Sequence, residues 1–181
     1  MQSIVSRNVR PVESAVISLC AMRAGELNAM SVIPDSATLV GTVRTFSTVV
    51  QTLVERRLSE MYAAVATAFG ATATVHYEQM YPATINTAPE ARFAGDVATS
   101  LVGPAHVVRD LEPSMGAEDF SFMLQVKPGA YMRIGQGVEN GVGSCFLHNS
   151  QYDFNDAILP LGAALHASLA EQAMPLANIR P

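Results

Sequence analysis

The spacing of apolar and polar positions changes several times along the chain, and each change marks an element. Residues 14–23 (SAVISLCAMR) are dense in β-branched and apolar side chains, which predicts a strand with Cys20 as a small core residue. Pro34-Asp35 is a turn signal. Residues 37–46 then alternate, with Leu39, Gly41, Val43 and Thr45 on one side and Val40, Thr42, Arg44 and Phe46 on the other. That period of two predicts a second strand, antiparallel to the first. The period next becomes helical: Val50, Leu53, Val54, Leu58, Met61, Val65 and Ala68 share one stripe, and Glu55, Arg56, Arg57 and Glu60 the wet face. Ser47 or Thr48 can cap this helix and Gly70 stops it. Residues 71–81 predict a third strand, and residues 2–9 the last turns of a helix.

The pattern to residue 85 is therefore α-β-β-α-β, a ferredoxin-like unit without its first strand and most of its first helix. The chain is expected to begin inside such a unit. After a turn-rich linker at 82–87, the pattern predicts a helix from Pro89 to Val102 and a short strand at 106–109. A helix over 117–126, a strand over 130–134 and a glycine loop over 135–143 follow. Asn155 or Asp156 caps a final helix with Ile158, Leu161, Leu165 and Leu169 as its stripe. It ends at Met174-Pro175, and a frayed tail follows. The expected class is α/β with an α+β first part, divided at 1–85 and 86–181.

Composition narrows the function. Hydrophobic residues make up 49% of the 181 and charged ones 15%, so a sizeable core is expected and disorder is not. The net charge of -5, without a basic run, argues against nucleic acid or an anionic membrane as partner. No apolar run reaches the length of a membrane span. The two cysteines, Cys20 and Cys145, lack metal-ligand or redox spacing, which fits a reduced cytoplasmic protein.

Candidate chemistry lies in the last third. His148 follows the glycine loop and precedes Asn149 and Ser150. A neutral imidazole there can ligate a metal or act as a base, or it can be a loop histidine without a role. Glu118 and Asp119 at an expected helix start can serve as general-base or outer carboxylates, or simply complement the helix dipole. The amides around Gly116 would open that helix and could receive a carboxylate. Arg44 can clamp a carboxylate bidentately or be a solvated edge residue. Asn28 and Ser31 lie in a loop that turn chemistry alone explains. The glycine loop is not a phosphate loop, since no Gly-Lys-Ser/Thr follows it. No complete metal-ligand set can be assembled from the sequence.

Taken together, the motifs resemble the C-terminal half of the metal-dependent amidohydrolases that include hippurate hydrolase, N-acyl-amino-acid hydrolases and indole-acetyl-amino-acid hydrolases, within the aminoacylase/carboxypeptidase clan. The resemblance rests on Ser31-Val32-Ile33-Pro34-Asp35, Leu39-Val40-Gly41-Thr42-Val43-Arg44-Thr45-Phe46, Tyr81-Pro82-Ala83-Thr84-Ile85-Asn86, Glu112-Pro113-Ser114-Met115-Gly116-Ala117-Glu118-Asp119-Phe120, and Leu147-His148-Asn149-Ser150 with Asp153-Phe154. It implies a ferredoxin-like lid or dimerisation domain followed by the C-terminal part of a zinc-peptidase-like catalytic domain. It implies two divalent metals per active site, Zn²⁺ or Mn²⁺, activating water against the amide of a small N-acyl amino acid. His148 falls on the family's C-terminal ligand histidine. Gly116 and its neighbours fall on a loop that faces the substrate. Arg44, Asn28 and Ser31 fall on the lid, where some members bind the substrate carboxylate. The resemblance also implies a homodimer formed through the lid.

This chain departs from the family in having no His-x-Cys-Gly-His-type motif, no later Glu and His ligands, no general-base glutamate and no lid histidine. It has Ser31 where the family often has Asn before Val-Ile-Pro. The chain alone is therefore expected to be inactive and to hold no catalytic base. The alternative is a non-catalytic module that dimerises or complements a separate N-terminal half.

Overall fold

A computed structural model describes residues 1–137, 141 and 143–174. Part of the glycine loop (residues 138–140 and 142) and the expected tail from Pro175 lie outside them. The described elements are α1 (Gln2–Asn8), β1 (Ala15–Ala24), β2 (Ala37–Thr45), α2 (Thr48–Ala68), α3 (Ala88–Val102), α4 (Phe120–Val126) and α5 (Leu159–Ala173), with 3-10 turns at Pro104–His106 and Asp156–Ile158. The chain forms two compact units, Met1–Ala83 with Ser114–Asp119, and Thr84–Pro113 with Phe120–Pro181.

In the first unit β1 and β2 pair antiparallel, with Ile17 opposite Val43 and Val16 opposite Arg44. The helical stripe of α2 lies on this pair. Ile4, Ile17, Val50, Val54 and Leu58 form one buried cluster, and Val43, Met61, Tyr62 and Tyr77 pack at its edge. Val50, Val54 and Leu58 are four residues apart, so they lie one above another on a single face. Ser47 caps the helix as expected, its hydroxyl accepting from the Val50 N–H at 3.5 Å. The stripe is shorter than the sequence suggests: on α2 the cluster ends at Tyr62, and Val65 is 56% exposed.

Cys20 is not a core residue. The register shifts between Leu19 and Ala21, Cys20 is the extra residue, and it is exposed. A Cβ at Gly41 would overlap the Ser18 carbonyl, so glycine is required beside this bulge. Beyond the bulge the hairpin is uncovered, with Met22 72% and Val40 56% exposed.

Residues 71–81 do not form the expected third strand. A strand needs a ladder partner, and the described sheet holds β1 and β2 alone. Two side chains fasten this segment instead: Tyr77 packs at the cluster edge and Gln79 Nε2 donates to Glu55 Oε2 at 3.0 Å. Burial, chiefly, pushes the Tyr77 phenol upward from its ordinary pKa, and the neighbouring Glu55 charge adds to the shift against a lowering hydrogen bond with Gln51.

In the second unit α3 buries Ala94 and Val97, α5 buries Leu165, and the two helices are in contact. Thr87 precedes α3 and Glu90 stands three residues later, at capping-box spacing, but the Thr87 side chain makes no cap bond and, with its N–H, is committed to Gly129. Hydrogen bonding to Thr87 is the main cause holding the Glu90 carboxyl below the ordinary carboxylate range. Residues 106–109 are not a strand, because Gly103 at φ +81° and Pro104 start a 3-10 turn there. Residues 130–134 are not a strand either. The Asn86 side chain donates to the Tyr131 carbonyl at 3.0 Å and accepts from its N–H at 2.7 Å, replacing a neighbouring strand. Thr87 and Gly129 are joined in the same way, backbone and hydroxyl together. Tyr131 stacks obliquely on Phe120 of α4, ring centres 5.8 Å apart.

Candidate active-site residues

Six of the seven candidate residues belong to the first unit and His148 to the second. Arg44 follows from the strand period. Val43 turns toward the cluster, so Arg44 and Thr42 stand on the opposite face of the pair. Arg44 is exposed, and its Nη1 donates to Thr42 Oγ1 at 3.1 Å. One hydroxyl thus occupies one edge of the guanidinium and leaves further donors of the fork for an anion. Asn28 and Ser31 are exposed in the β1–β2 connection, among Leu27, Met30, Val32 and Ile33, which are also exposed.

Gly116, Glu118 and Asp119 differ from expectation. The helix begins at Phe120, not Ala117, so the two acids precede it and its first turn contains none. The Gly116 amides accordingly do not open a helix. The chain leaves the first unit at Asp119 and enters the second at Phe120, where the helix starts. Gly116 is exposed, and a Cβ there would make only an ordinary contact, 3.8 Å from Ser114 Oγ. Glu118 is half-buried and Asp119 exposed.

His148 is the anomaly of the backbone. Its φ is +67°, and it is the one non-glycine residue at positive φ among the described residues. It occupies the third position of a turn closed by the Asn149 N–H donating to the Phe146 carbonyl at 3.3 Å. In such a turn positive φ at that position favours glycine or asparagine. For a histidine the left-handed region costs about 1–2 kcal/mol. The next turn is closed by Tyr152 N–H on the Asn149 carbonyl at 3.0 Å, and Asn149 Oδ1 accepts from Gln151 N–H at 2.9 Å. The whole run from Phe146 to Gln151 is exposed, so the strained residue presents its imidazole outward. Residues held in sparsely populated backbone regions cluster at functional sites.

A metal centre does not fit the described residues by themselves. No three His, Cys, Asp or Glu side chains among them are placed to hold an ion. His148 offers one donor where a hydrolytic site needs three or more. No described helix is long and apolar enough to cross a membrane.

Comparison with known proteins gives the family. The sequence profile of the peptidase family M20/M25/M40 matches residues 7–172. A hippurate hydrolase from Campylobacter jejuni is 36% identical over 170 residues, 94% of this chain and 43% of that protein. An IAA-amino acid hydrolase from Arabidopsis thaliana is 32% identical, covering 94% of this chain and 39% of its own length. Thermostable carboxypeptidase 1 from Saccharolobus solfataricus is 32% identical over 92% of this chain and 41% of its length. The chain therefore spans about two-fifths of the curated relatives it matches. Among solved structures, a dinuclear metal-binding M20 peptidase from Bacillus subtilis superposes with a TM-score of 0.76 over 97% of this chain and 45% of that one, at 24% identity. The profile covers nearly the whole sequence, and the chain belongs to peptidase family M20/M25/M40.

Proposed function

We propose that this chain is the C-terminal part of an amidohydrolase that cleaves the amide bond of small N-acyl amino acids of the hippurate type. The observation that carries the reading is His148, exposed and held at a positive φ that a histidine does not prefer. In this reading residues 1–85 serve as a ferredoxin-like lid and 86–181 complete the catalytic domain. His148 is this chain's donor to a divalent metal pair, Zn²⁺ or Mn²⁺, whose remaining ligands lie outside the chain. Arg44, with Asn28 and Ser31, takes the substrate carboxylate on the lid. Gly116 borders the substrate, with Glu118 and Asp119 behind it. The chain alone is inactive, because one imidazole does not hold a hydrolytic metal.

The test is a chimera in which this chain replaces the matching segment of the Campylobacter hippurate hydrolase. Hippurate hydrolysis is expected, and His148→Ala is expected to lower it by more than the roughly 10- to 100-fold that loss of an outer partner costs. A folded chimera that hydrolyses hippurate equally well with His148→Ala contradicts the reading. Hydrolysis by the 181-residue chain itself with added Zn²⁺ or Mn²⁺ contradicts the claim of inactivity.

A second reading is a non-catalytic module that pairs with another copy through the lid. It is favoured by the uncovered outer half of the hairpin, where Met22, Leu39 and Val40 are exposed beside strand edges without a partner among the described residues. Size-exclusion across a range of concentrations decides it, and a chain that is monomeric throughout excludes it.

A further inference from the structure

We infer that Asn155 and Gln136 form a latch that positions His148, and that Asn155 is a positioning residue for the site; the functional half of this inference rests on the reading of His148 above. Asn155 donates twice to Gln136, its backbone N–H to Oε1 at 3.3 Å and its Nδ2 to the backbone carbonyl at 2.8 Å. Its remaining side-chain atom, Oδ1, accepts from the Ala157 N–H at 3.1 Å and so caps the 3-10 turn that leads into α5. Both donors and the side-chain acceptor are therefore engaged, and the residue is half-buried.

The latch closes the segment that carries His148. Gln136 lies before His148 in the chain and Asn155 after it, so the two bonds tie together the described residues on either side of it. A second contact narrows the same neck. Gly143 stands at φ +74°, and a Cβ there would lie 2.7 Å from the Gln136 carbonyl oxygen. A Cβ at Gly137 would overlap the Gly143 carbonyl. Two backbones pass here with no room for a side chain, which is the use of glycine at a close approach.

The physical need for a latch follows from the turn it holds. Phe146–Gln151 is exposed and buries no apolar side chain. Its left-handed histidine costs about 1–2 kcal/mol, and among the described residues the bonds that close the turn stay within residues 146–152. A conformation of that kind persists only when its surroundings over-determine it. The Gln136–Asn155 bonds and the capped 3-10 turn at Asp156–Ile158 supply that restraint.

Asn155→Asp separates the two tasks of Asn155. The carboxylate keeps the oxygen that caps Ala157 but cannot donate to the Gln136 carbonyl. In the 181-residue chain, NMR of this variant is expected to lose the strong intraresidue amide–α-proton contact that marks positive φ at His148. Exchange at the Asn149 and Tyr152 amides is expected to quicken about tenfold, the loss of roughly one hydrogen bond. Amides of α5 are expected to exchange as in the wild type. Gln136→Ala, which removes the Oε1 acceptor alone, is expected to shift the same signals by a smaller amount. An unchanged His148 signature in both variants overturns the latch, and so does equal loosening of Ala157 and Ile158.

In the hippurate hydrolase chimera, Asn155→Asp is expected to lower kcat about 10- to 100-fold with KM little changed. A loosened turn with an unchanged rate overturns the role of His148 and leaves the latch standing. A lowered rate with an unchanged turn overturns the latch.

Discussion

The cluster beneath α2 and the turn that carries His148 are held in opposite ways. The first is apolar: Ile4, Ile17, Val50, Val54 and Leu58 are each at most 7% exposed and need no directional bond. The second buries nothing apolar between Phe146 and Gln151 and is fixed by hydrogen bonds and two glycines at its neck. Removal of methyl groups should damage the first region. The second should respond to donors, acceptors and φ. That division separates what keeps the unit folded from what presents an imidazole.

The largest effect is expected in the cluster. Ile4 is fully buried, and Ile4→Ala should destabilise the first unit by about 2–5 kcal/mol, read by denaturant unfolding. A loss under about 0.5 kcal/mol would mean that the cluster does not hold the unit. Next is Gly41→Ala. A methyl there meets the Ser18 carbonyl, and a loss of about 1–3 kcal/mol is expected, with exchange quickening along β1 and β2. Wild-type protection of those amides would show that the bulge can shift.

A pH experiment gives a smaller effect with a fixed sign. The folded-state pKa of Tyr77 is raised from 10.0, so the folded state keeps its proton where the unfolded state loses it. Its contribution to stability is complete below about pH 10 and falls as the pH rises toward the higher folded value. Tyr77→Phe should flatten that part of the stability–pH curve, and an unaltered slope would assign it to other groups. Smallest of all are the exposed pairs Arg56–Glu60 and Arg57–Glu60. Glu60→Gln should cost no more than about 0.5 kcal/mol, checked in the same unfolding assay.

Much of the fold was legible because it is local. The alternation of 37–45, the cap at Ser47 and the first half of the α2 stripe are set by residues a few places apart and are found where the pattern puts them, while Asn155 caps the 3-10 turn before the final helix rather than the helix itself. The failures share a cause. Residues 71–81 and 130–134 have strand composition, but strand formation depends on a partner that composition does not reveal. In one case Tyr77 and Gln79 hold the segment, and in the other Asn86 takes the place of a strand. The start of α4 at Phe120 coincides with the boundary between the units, which no local pattern records.

The site was legible in part. His148 was flagged by its place after the glycine loop. The pairing of Arg44 with Thr42 follows from a period of two, since residues two apart share a face. The left-handed φ of His148 had no local signal, because histidine is not a residue that turn chemistry calls for there. Asn155 was legible as a cap, while its bonds to Gln136, 19 residues earlier, could be found only in three dimensions.

The central claim is that His148 is kept in an unfavourable conformation for function, and His148→Gly tests it most directly. Glycine relieves the positive φ and removes the imidazole. Stability of the chain should hold or rise by up to about 1 kcal/mol, while hippurate hydrolysis by the chimera should be lost. Retained hydrolysis, or a stability loss above about 1 kcal/mol, would contradict the claim and make His148 a structural residue of its loop.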